Sequence, residues 1–180
     1  MYKTIRVFAL TSMLATCCGD QAVSQEIKAE PDALVGSMQA GAQHIRAMFT
    51  QAVEKMSEAD FAYKPTPEIR SFGQLLAHVA DTNYSFCAGA LGEKPPAANI
   101  EKTMTVRTDI TRALEASFVY CERAFAAMND PVNAKRAITF HGHPNTAGAL
   151  LNFRNYHGLL HWGNAITYMR LRGKVPPTAG

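Results

Sequence analysis

Apolar residues recur at helical spacing in four long stretches of this chain, and polar residues occupy the positions between them. This period is that of an amphipathic α-helix, so each stretch predicts a helix with one face towards a shared core. The predicted helices run from Asp32 to about Met56, Phe72 to about Leu91, Val106 to Met128, and Thr146 to about Leu171. Because no stretch alternates like a strand, the pattern favours an all-α four-helix bundle.

Local signals support these helix ends. Ser71, immediately before the second helix, is a favoured N-cap residue, and Gly92 after its last apolar position is a favoured terminator. The stretch 129–145 between the third and fourth helices has no helical period and is predicted to be irregular. Within it, Thr139 and Phe140 are the one short piece expected to be extended. Long connections allow helices that follow one another in the chain to lie apart in the bundle.

The N-terminal region differs from the rest in composition. Residues 1–24 place basic side chains before a short apolar run and then small polar residues, which is the order of a secretory signal peptide. The favoured interpretation is cleavage before Gln25, which leaves residues 25–180 as one domain. A second interpretation is lipidation near Cys17, because Leu14–Cys17 resembles a lipobox, and an uncleaved tail of a cytosolic protein ranks third. The sequence therefore predicts an exported protein, periplasmic or lipid-anchored in the cell envelope.

Composition narrows the classes of function. The chain has 180 residues, 47% of them hydrophobic and 18% charged, with a net charge of +3 and no basic cluster. That length suits one globular domain, and the charge distribution gives no reason to expect a nucleic-acid partner. The motifs GxSxG, P-loop and GxGxxG do not occur. Serine-hydrolase and nucleotide chemistry therefore have no support.

Only two cysteines, Cys87 and Cys121, lie outside the predicted leader, and they form neither a CxxC nor a CxxCH motif. This excludes zinc-ribbon, thioredoxin-like and c-type haem sites. The two cysteines are able to pair in an oxidising compartment, but on helices they are expected more often as small buried apolar residues.

Three histidines are the main candidates for a functional site in this chain. His157 and His161 are four residues apart, which places them about 40° apart on one face of the last helix. His78 lies midway along the second helix, so the three imidazoles meet if these two helices are neighbours. Three neutral imidazoles with an open fourth position are the layout of a catalytic metal site. The alternative is a set of core histidines satisfied by hydrogen bonds.

Other polar residues near these histidines have supporting roles in this hypothesis. Asp81, Thr82, Tyr84 and Asn164 are the candidates for orienting the ligands or a substrate. Arg154 is a candidate for holding an anionic group, although a solvated position is the one expected for it.

The remaining histidines receive lesser roles. His141 and His143 are reserve ligands in a loop that is expected to be exposed, and His44 is expected on the surface of the first helix. The motif HExxH is absent, since Gly158 follows His157. The last helix therefore supplies no general base of the kind found in that motif.

Two segments of the chain resemble the DinB/YfiT-like superfamily. The first is SFGQLLAHVADTNYSFCAGALGEKPP (Ser71–Pro96), and the second is HGLLHWGNAITYMRLRGKVPP (His157–Pro177). Together they carry the family pattern of a distant His, then HxxxHxG, an Arg, a Gly and a closing PP, with Asn where the family usually has Gln. The resemblance implies that His78, His157 and His161 are the metal ligands.

The resemblance also implies a four-helix bundle of up-down-down-up order that binds a divalent metal ion, with zinc as the first choice and nickel, iron or manganese as alternatives. Dimers are common in the family, so a homodimer is implied as a candidate assembly. Some relatives resemble thiol S-transferases or maleylpyruvate isomerase-type enzymes, which implies a small-molecule substrate, with a thiol as one option. Membrane contact is expected only through a lipid anchor.

Three functions remain open on this basis. The first is an exported metal-dependent enzyme that is thiol S-transferase-like or hydrolase-like. The second is a non-catalytic metal-binding, small-ligand-binding or interaction protein of the bacterial envelope. The third is a bundle whose histidines hold no metal. We favour the enzyme for the type of site and leave the reaction open.

Overall fold

The computed structural model describes residues 31–177, with side chains from residue 33 onwards. The four long helices are α1 (Pro31–Lys55), α3 (Phe72–Leu91), α5 (Arg107–Ala127) and α7 (Ala147–Leu171). The connections contain three short helices, α2 (Glu58–Ala62), α4 (Ile100–Thr103) and α6 (Pro131–Lys135), and a hairpin of β1 (Ala137–Phe140) and β2 (His143–Thr146). Each long helix therefore lies where the hydrophobic period predicts it.

The predicted caps of α3 are confirmed, and the residue at which α7 was predicted to start is its N-cap. Ser71 Oγ accepts a hydrogen bond from the backbone N–H of Gln74, and the Gln74 side chain accepts one from the backbone N–H of Ser71. Gly92 ends α3 with a φ of 77°, a left-handed conformation that favours glycine. Thr146 is the N-cap of α7, where its side chain accepts from the backbone N–H of Ala149. These caps satisfy backbone groups that a helix end otherwise leaves unpaired.

The four long helices surround the core in the ring order α1, α5, α3, α7. Pairs of contacts fix their relative directions: α3 and α5 are parallel, α1 and α7 are parallel, and α3 and α7 are antiparallel. The α3–α5 contacts are Asn83–Ser117 and Cys87–Cys121. The α1–α7 contacts are Met38–Asn155 and Phe49–Trp162. The α3–α7 contacts are His78–His161 and Asn83–Arg154. The chain therefore follows the up-down-down-up order that the resemblance implies, and α3 and α7 are neighbours.

Two groups of buried apolar side chains fill the bundle. Between them lie four buried polar residues, Asn83, Ser117, Arg154 and Asn155, which we call the polar layer. Asn83 Nδ2 donates to Ser117 Oγ at 3.0 Å, and Arg154 Nε donates to Asn83 Oδ1 at 2.9 Å. The expectation that Arg154 is solvated is wrong, because the residue is 1% exposed. It follows the buried Leu150 by four positions and so shares its inward face.

The stretch 129–145 is more regular than predicted, because it contains α6 and the hairpin. Thr139 and Phe140 lie in β1, which confirms that they are extended. The strands pair across the two-residue turn His141–Gly142, whose φ angles of 48° and 80° are both positive. Such a turn suits a tight hairpin. The second strand was not predicted, because four residues that include a proline show no measurable period.

A disulfide bond joins Cys87 of α3 to Cys121 of α5, with their Cα atoms 5.3 Å apart. Both residues are buried. Of the two interpretations left open by the sequence, pairing is therefore the one that the structure shows, although unpaired burial was expected more often. The pair forms because α3 and α5 run side by side in the same direction, so that equivalent positions face each other. One turn earlier, Asn83 faces Ser117 in the same way.

The predictions for the N-terminal region concern residues outside the described part of the chain. Both the leader, residues 1–24, and Cys17 within it belong to that region. Between residues 31 and 177, no helix combines the length and the apolar character that are needed to cross a bilayer.

Candidate metal centre

Three histidine side chains meet between α3 and α7. One nitrogen atom from each of His78, His157 and His161 lies within 4.8 Å of the others. The Nε2 atoms of His157 and His161 are 3.2 Å apart, and the ring centroids of His78 and His161 are 4.8 Å apart. Two nitrogens bound to one tetrahedral zinc ion at about 2.05 Å lie about 3.3 Å apart. The spacing therefore suits ligands of a single ion.

Helix geometry brings these residues together. His157 and His161 are one turn apart on α7, and His78 reaches them from α3. Gly158 lies against α1, where an added Cβ atom would be 3.1 Å from Ile45 Cγ2. A glycine therefore allows α1 to approach α7 closely at the level of the histidines. The same position would carry the glutamate of an HExxH motif.

Burial keeps two of the imidazoles neutral. The pKa of His157 is lowered to about 4. Burial is the largest cause, and nearby positive charges lower the pKa further. The pKa of His161 is also lowered to about 4, again mainly by burial and then by the charge of neighbouring histidines. At neutral pH both rings therefore have a lone pair available for a cation.

Two charged residues that the sequence did not indicate lie beside His78. Glu101, in α4, has its Oε2 2.9 Å from His78 Nδ1. Arg70 donates from Nε to Glu101 Oε1 at 2.7 Å, and its Nη2 lies 3.4 Å from His78 Nδ1. Burial raises the pKa of Glu101, but the hydrogen bonds and charges of Arg70 and His78 outweigh it and lower the pKa. In the tautomer that donates from Nδ1 to this carboxylate, His78 has the lone pair of Nε2 available for a metal.

Among the residues predicted to orient the ligands or a substrate, Asp81 contacts the backbone of the segment that carries Glu101. Its carboxylate accepts hydrogen bonds from the backbone N–H groups of Ile100 and Glu101, each at 2.9 Å. It therefore fixes the start of α4 and the position of the Glu101 backbone. The Thr82 hydroxyl donates to the backbone carbonyl of His78 at 2.9 Å and so is directed along its own helix.

Tyr84 and Asn164 differ in their relation to the site. Tyr84 is 7% exposed, and its ring lies 5.5 Å from that of Tyr120 in the core between α3 and α5. The structure therefore does not bring it to the histidines. Asn164 is exposed and lines a cavity of about 550 Å³ together with Arg70 and Glu101. No clustered histidine lines this cavity, so Asn164 is connected to the cluster only through Arg70 and Glu101, which both lie beside His78.

The other histidines stand apart from the cluster. His44 is exposed on α1, and His141 and His143 are exposed in the hairpin. Among residues 31–177, His78, His157 and His161 are the group of histidine, cysteine and acidic side chains whose ligand atoms converge in this way. The structure gives no role as ligands to the reserve residues.

Cavities and aromatic rings surround the histidines. A cavity of about 320 Å³ is lined by His78 and Thr82. The ring of Phe86 lies 5.3 Å from that of His157. Phe153, which is 53% exposed, stands edge-on to Phe86 at 5.5 Å. A molecule at the site would therefore meet aromatic rings as well as the charged pair of Arg70 and Glu101.

The donor set suits a divalent cation. Imidazoles are common ligands of zinc, nickel and iron, and three protein ligands leave a position for water or substrate. His161 Nδ1 is buried without a hydrogen-bond partner among the described residues. The polar contact of this ring is therefore made through Nε2, which faces Nε2 of His157. A cation between the Nε2 atoms of His157 and His161 would accept a lone pair from each. Without a cation, the two nitrogens can share at most one hydrogen bond.

Solved structures similar to this chain share its fold. A DinB-like protein from Bacillus cereus is 12% identical with a TM-score of 0.69, and the match covers 79% of this chain and 95% of that one. A DinB-like protein from Bacillus subtilis is 21% identical with a TM-score of 0.65, covering 79% and 96%. YfiT from Bacillus subtilis is 14% identical with a TM-score of 0.60, covering 78% and 89%, and is described as a probable metal-dependent hydrolase with an unusual four-helix bundle topology.

Sequence comparison assigns the family directly. No curated protein matches the chain. The family model of the DinB superfamily matches residues 42–165, which include all three clustered histidines and most of the bundle. This chain therefore belongs to the DinB superfamily.

Proposed function

We propose that this protein is a metal-dependent hydrolase that acts on a small molecule in the cell envelope. The observation that carries the proposal is the convergence of His78, His157 and His161 within 4.8 Å. Membership of the DinB superfamily supports it, as does the description of the similar YfiT as a probable metal-dependent hydrolase.

The three histidines would hold a divalent metal ion, and we propose zinc because three imidazoles with one open position are a common catalytic zinc site. When bound, such an ion supplies Lewis acidity, which lowers the pKa of a water or thiol ligand and polarises a carbonyl oxygen. Since His157 and His161 both have a pKa of about 4, neither needs to lose a proton before binding at neutral pH.

The surrounding residues would bind and orient the substrate. Arg70, whose side chain is 42% exposed beside the site, is placed to hold a negatively charged group. Asn164 offers an exposed amide at the edge of the same cavity. Phe86 and Phe153 would contact an apolar part of the substrate and keep water from that side of the histidines. Glu101 is occupied with His78 and Arg70, so its role is to position His78.

A thiol S-transferase-like reaction is the second candidate. It is supported by the resemblance of some family members to enzymes that use low-molecular-weight thiols. Hydrolysis is preferred because water is available in every compartment, whereas thiol transfer in the envelope requires a thiol cosubstrate outside the cytosol. Both reactions would use the same three histidines.

Export is part of the proposal. Residues 1–24 have the composition of a signal peptide, with lipidation near Cys17 as the alternative. The disulfide bond between Cys87 and Cys121 supports this location, because structural disulfides persist in oxidising compartments and are rare in the cytosol. Mature protein from an exporting host should begin at Gln25 by mass spectrometry, and a lipid-modified Cys17 would favour the alternative.

The proposed partner is a small molecule rather than a nucleic acid, since the chain has no basic cluster. A homodimer is proposed as the assembly. It is supported by apolar side chains on the outer face of α7 that are 53% to 63% exposed, namely Phe153, Tyr156 and Leu160. Sedimentation of the full chain at micromolar concentration would detect such a dimer.

Metal content is the first test of the proposed function. The protein should be purified without a chelating resin and analysed for metal by elemental analysis. We expect about one equivalent of metal per chain, and none after His161→Ala. His44→Ala is the matched control, because His44 is exposed on α1 away from the cluster. Unchanged metal content in His161→Ala would contradict the proposal.

Catalysis is the second test, since a non-catalytic metal-binding or interaction protein is the alternative. The Co²⁺-substituted protein should change its absorption spectrum when azide or a small thiol is added, if a coordination position is open. Hydrolysis of ester and amide substrates should be lost with a chelator and restored by metal. A spectrum that no added ligand alters, together with the absence of hydrolysis, would support the binding protein instead.

A further inference from the structure

A third cavity lies in the groove between α1 and α5, whereas the histidines lie between α3 and α7. It has a volume of about 340 Å³, and none of the three clustered histidines lines it. The polar layer forms part of its wall through Arg154. This volume is within the range of small-molecule sites.

Arg154 is a buried charge without a counter-charge. Its Nε donates to Asn83 Oδ1 at 2.9 Å, and its Nη1 donates to Asn155 Oδ1 at 3.0 Å. Both acceptors are neutral amides, and the third contact is the ring of Phe118, whose centroid lies 5.2 Å from the guanidinium carbon. No carboxylate among the described residues forms an ion pair with it. A buried charge without a partner is energetically costly, so an anion from outside would be favourable here.

The free part of the guanidinium faces the cavity. Nη2 of Arg154 makes no hydrogen bond with a described residue, yet it is not one of the side-chain atoms sealed from solvent. Because the residue is only 1% exposed and lines the cavity, the cavity is the space that this surface reaches. Burial lowers the pKa of Arg154 only to about 10, so the group is charged at neutral pH.

A second arginine at the cavity is already neutralised. Arg46 forms ion pairs with both Glu115 and Glu122, and Glu122 also lines the cavity. Both carboxylates are therefore engaged by Arg46, and of the two only Glu122 lines the cavity. Arg154 remains the positive charge in the wall that has no carboxylate partner among the described residues. A ligand with a single negative charge matches it better than a dianion, which Glu122 would repel.

The rest of the lining is suited to an organic molecule. Phe118 and Phe125 provide aromatic surface, and Ala42 and Ala126 provide small apolar surface. The side-chain amide of Gln39 lies at the same cavity, where it donates to the backbone carbonyl of Phe125 at 3.0 Å. The lining thus combines a charged group at one point with apolar surface around it.

We propose that the cavity between α1 and α5 binds a small organic monocarboxylate, with the carboxylate on Arg154 and the apolar part against Phe118 and Phe125. The guanidinium of Arg154 has unused N–H donors, and the ligand's carboxylate is a planar acceptor. These two groups can form charge-assisted hydrogen bonds in a favourable geometry. The site is separate from the histidines and does not depend on the proposed hydrolase activity.

The test compares benzoate with benzamide, which has the same shape without the charge. Binding to the full chain is measured by titration calorimetry and by NMR shifts of side-chain amides, with the His161→Ala variant used in parallel to exclude binding to a metal. We expect benzoate to bind at least about tenfold more tightly than benzamide, and to shift the amides of Gln39 and Gln43. Arg154→Met should weaken benzoate binding by about tenfold or more.

A second variant protects the test against a folding defect in Arg154→Met. Ala126 lines the cavity and is exposed, so Ala126→Phe fills the space without altering the polar layer. It should also abolish benzoate binding while the circular dichroism spectrum is unchanged. Benzoate binding that survives Ala126→Phe, that equals benzamide binding, or that disappears in His161→Ala would overturn the proposal.

Discussion

The replacement Glu101→Gln tests how the neighbours of the proposed metal ligands His78, His157 and His161 act. Glutamine keeps the size of the side chain and removes its charge. The carboxylate has Oε2 2.9 Å from His78 Nδ1 and also binds Arg70. After the change, an amide oxygen still accepts from His78, but the hydrogen bond is no longer charge-assisted.

The magnitude follows from two losses. A hydrogen bond to a charged group contributes about 1 kcal/mol more than one between neutral groups, which corresponds to roughly a fivefold change in affinity. In addition, Arg70 loses its carboxylate partner while its Nη2 lies 3.4 Å from His78 Nδ1. Its uncompensated positive charge then opposes binding of a cation. Together these effects should weaken metal binding by about ten- to hundredfold, as is typical when a group that orients a ligand is removed.

Competition with a chromophoric chelator measures this affinity for zinc directly. Glu93→Gln is the matched control, because it removes a carboxylate that pairs with Arg123 on the surface. We expect the control to bind zinc like the wild type and Glu101→Gln to bind it at least about tenfold more weakly. Equal affinity of both variants and the wild type would refute the role given to Glu101.

Three further predictions concern stability and can be checked by urea denaturation. Replacing Cys87 and Cys121 together with alanine should lower the free energy of unfolding by about 3 to 4 kcal/mol, since the disulfide closes a loop with a sequence separation of 34; an unchanged midpoint would contradict this. Burial raises the pKa of Asp60, but hydrogen bonds from Arg172 and Ser57 outweigh it and lower the pKa to about 2. The wild type should therefore exceed Asp60→Asn by about 1 to 2 kcal/mol above pH 5 and lose that advantage as the pH falls from about 4 to about 2, whereas a pH-independent difference would argue against the ion pair. Gly163→Ala should raise stability by about 0.5 to 1 kcal/mol, because an added Cβ meets nothing within 4 Å and alanine favours a helix; a loss of stability would refute this reasoning.

The long helices could be predicted because their signals are local and repeated. Ser71 and Gly92 mark the two ends of α3 in the sequence, and both act as caps in the structure. The hairpin could be predicted only in part, since its strands are four residues long. The pairing of Cys87 with Cys121 depends on the parallel direction of α3 and α5, which no local pattern reveals.

The residues of the candidate site also fall into two groups, those that the sequence indicated and those that it did not. The histidines of α7 share a face because of their spacing, and His78 was indicated as the third by its position midway along the second helix and then by the family resemblance. Arg70 and Glu101 were missed because they lie outside the long helices, in segments with no periodic signal. Their positions depend on a loop that Asp81 holds against α3 through backbone hydrogen bonds. A residue that reaches the site only because a loop folds back towards it cannot be recognised from the sequence pattern.

A site of three imidazole nitrogens does not by itself select one biological metal among the late first-row transition metals, since geometry and metal supply decide which ion is bound in the cell. Affinity for such donors rises from manganese through iron, cobalt and nickel to copper, whatever the biological ion. If His78, His157 and His161 hold an ion as proposed, the element recovered with them would follow the supply of ions during folding. Protein produced in a copper-supplemented culture would then carry copper in place of the proposed zinc. Activity screens should for this reason begin from metal-stripped protein that is reloaded with one defined ion at a time.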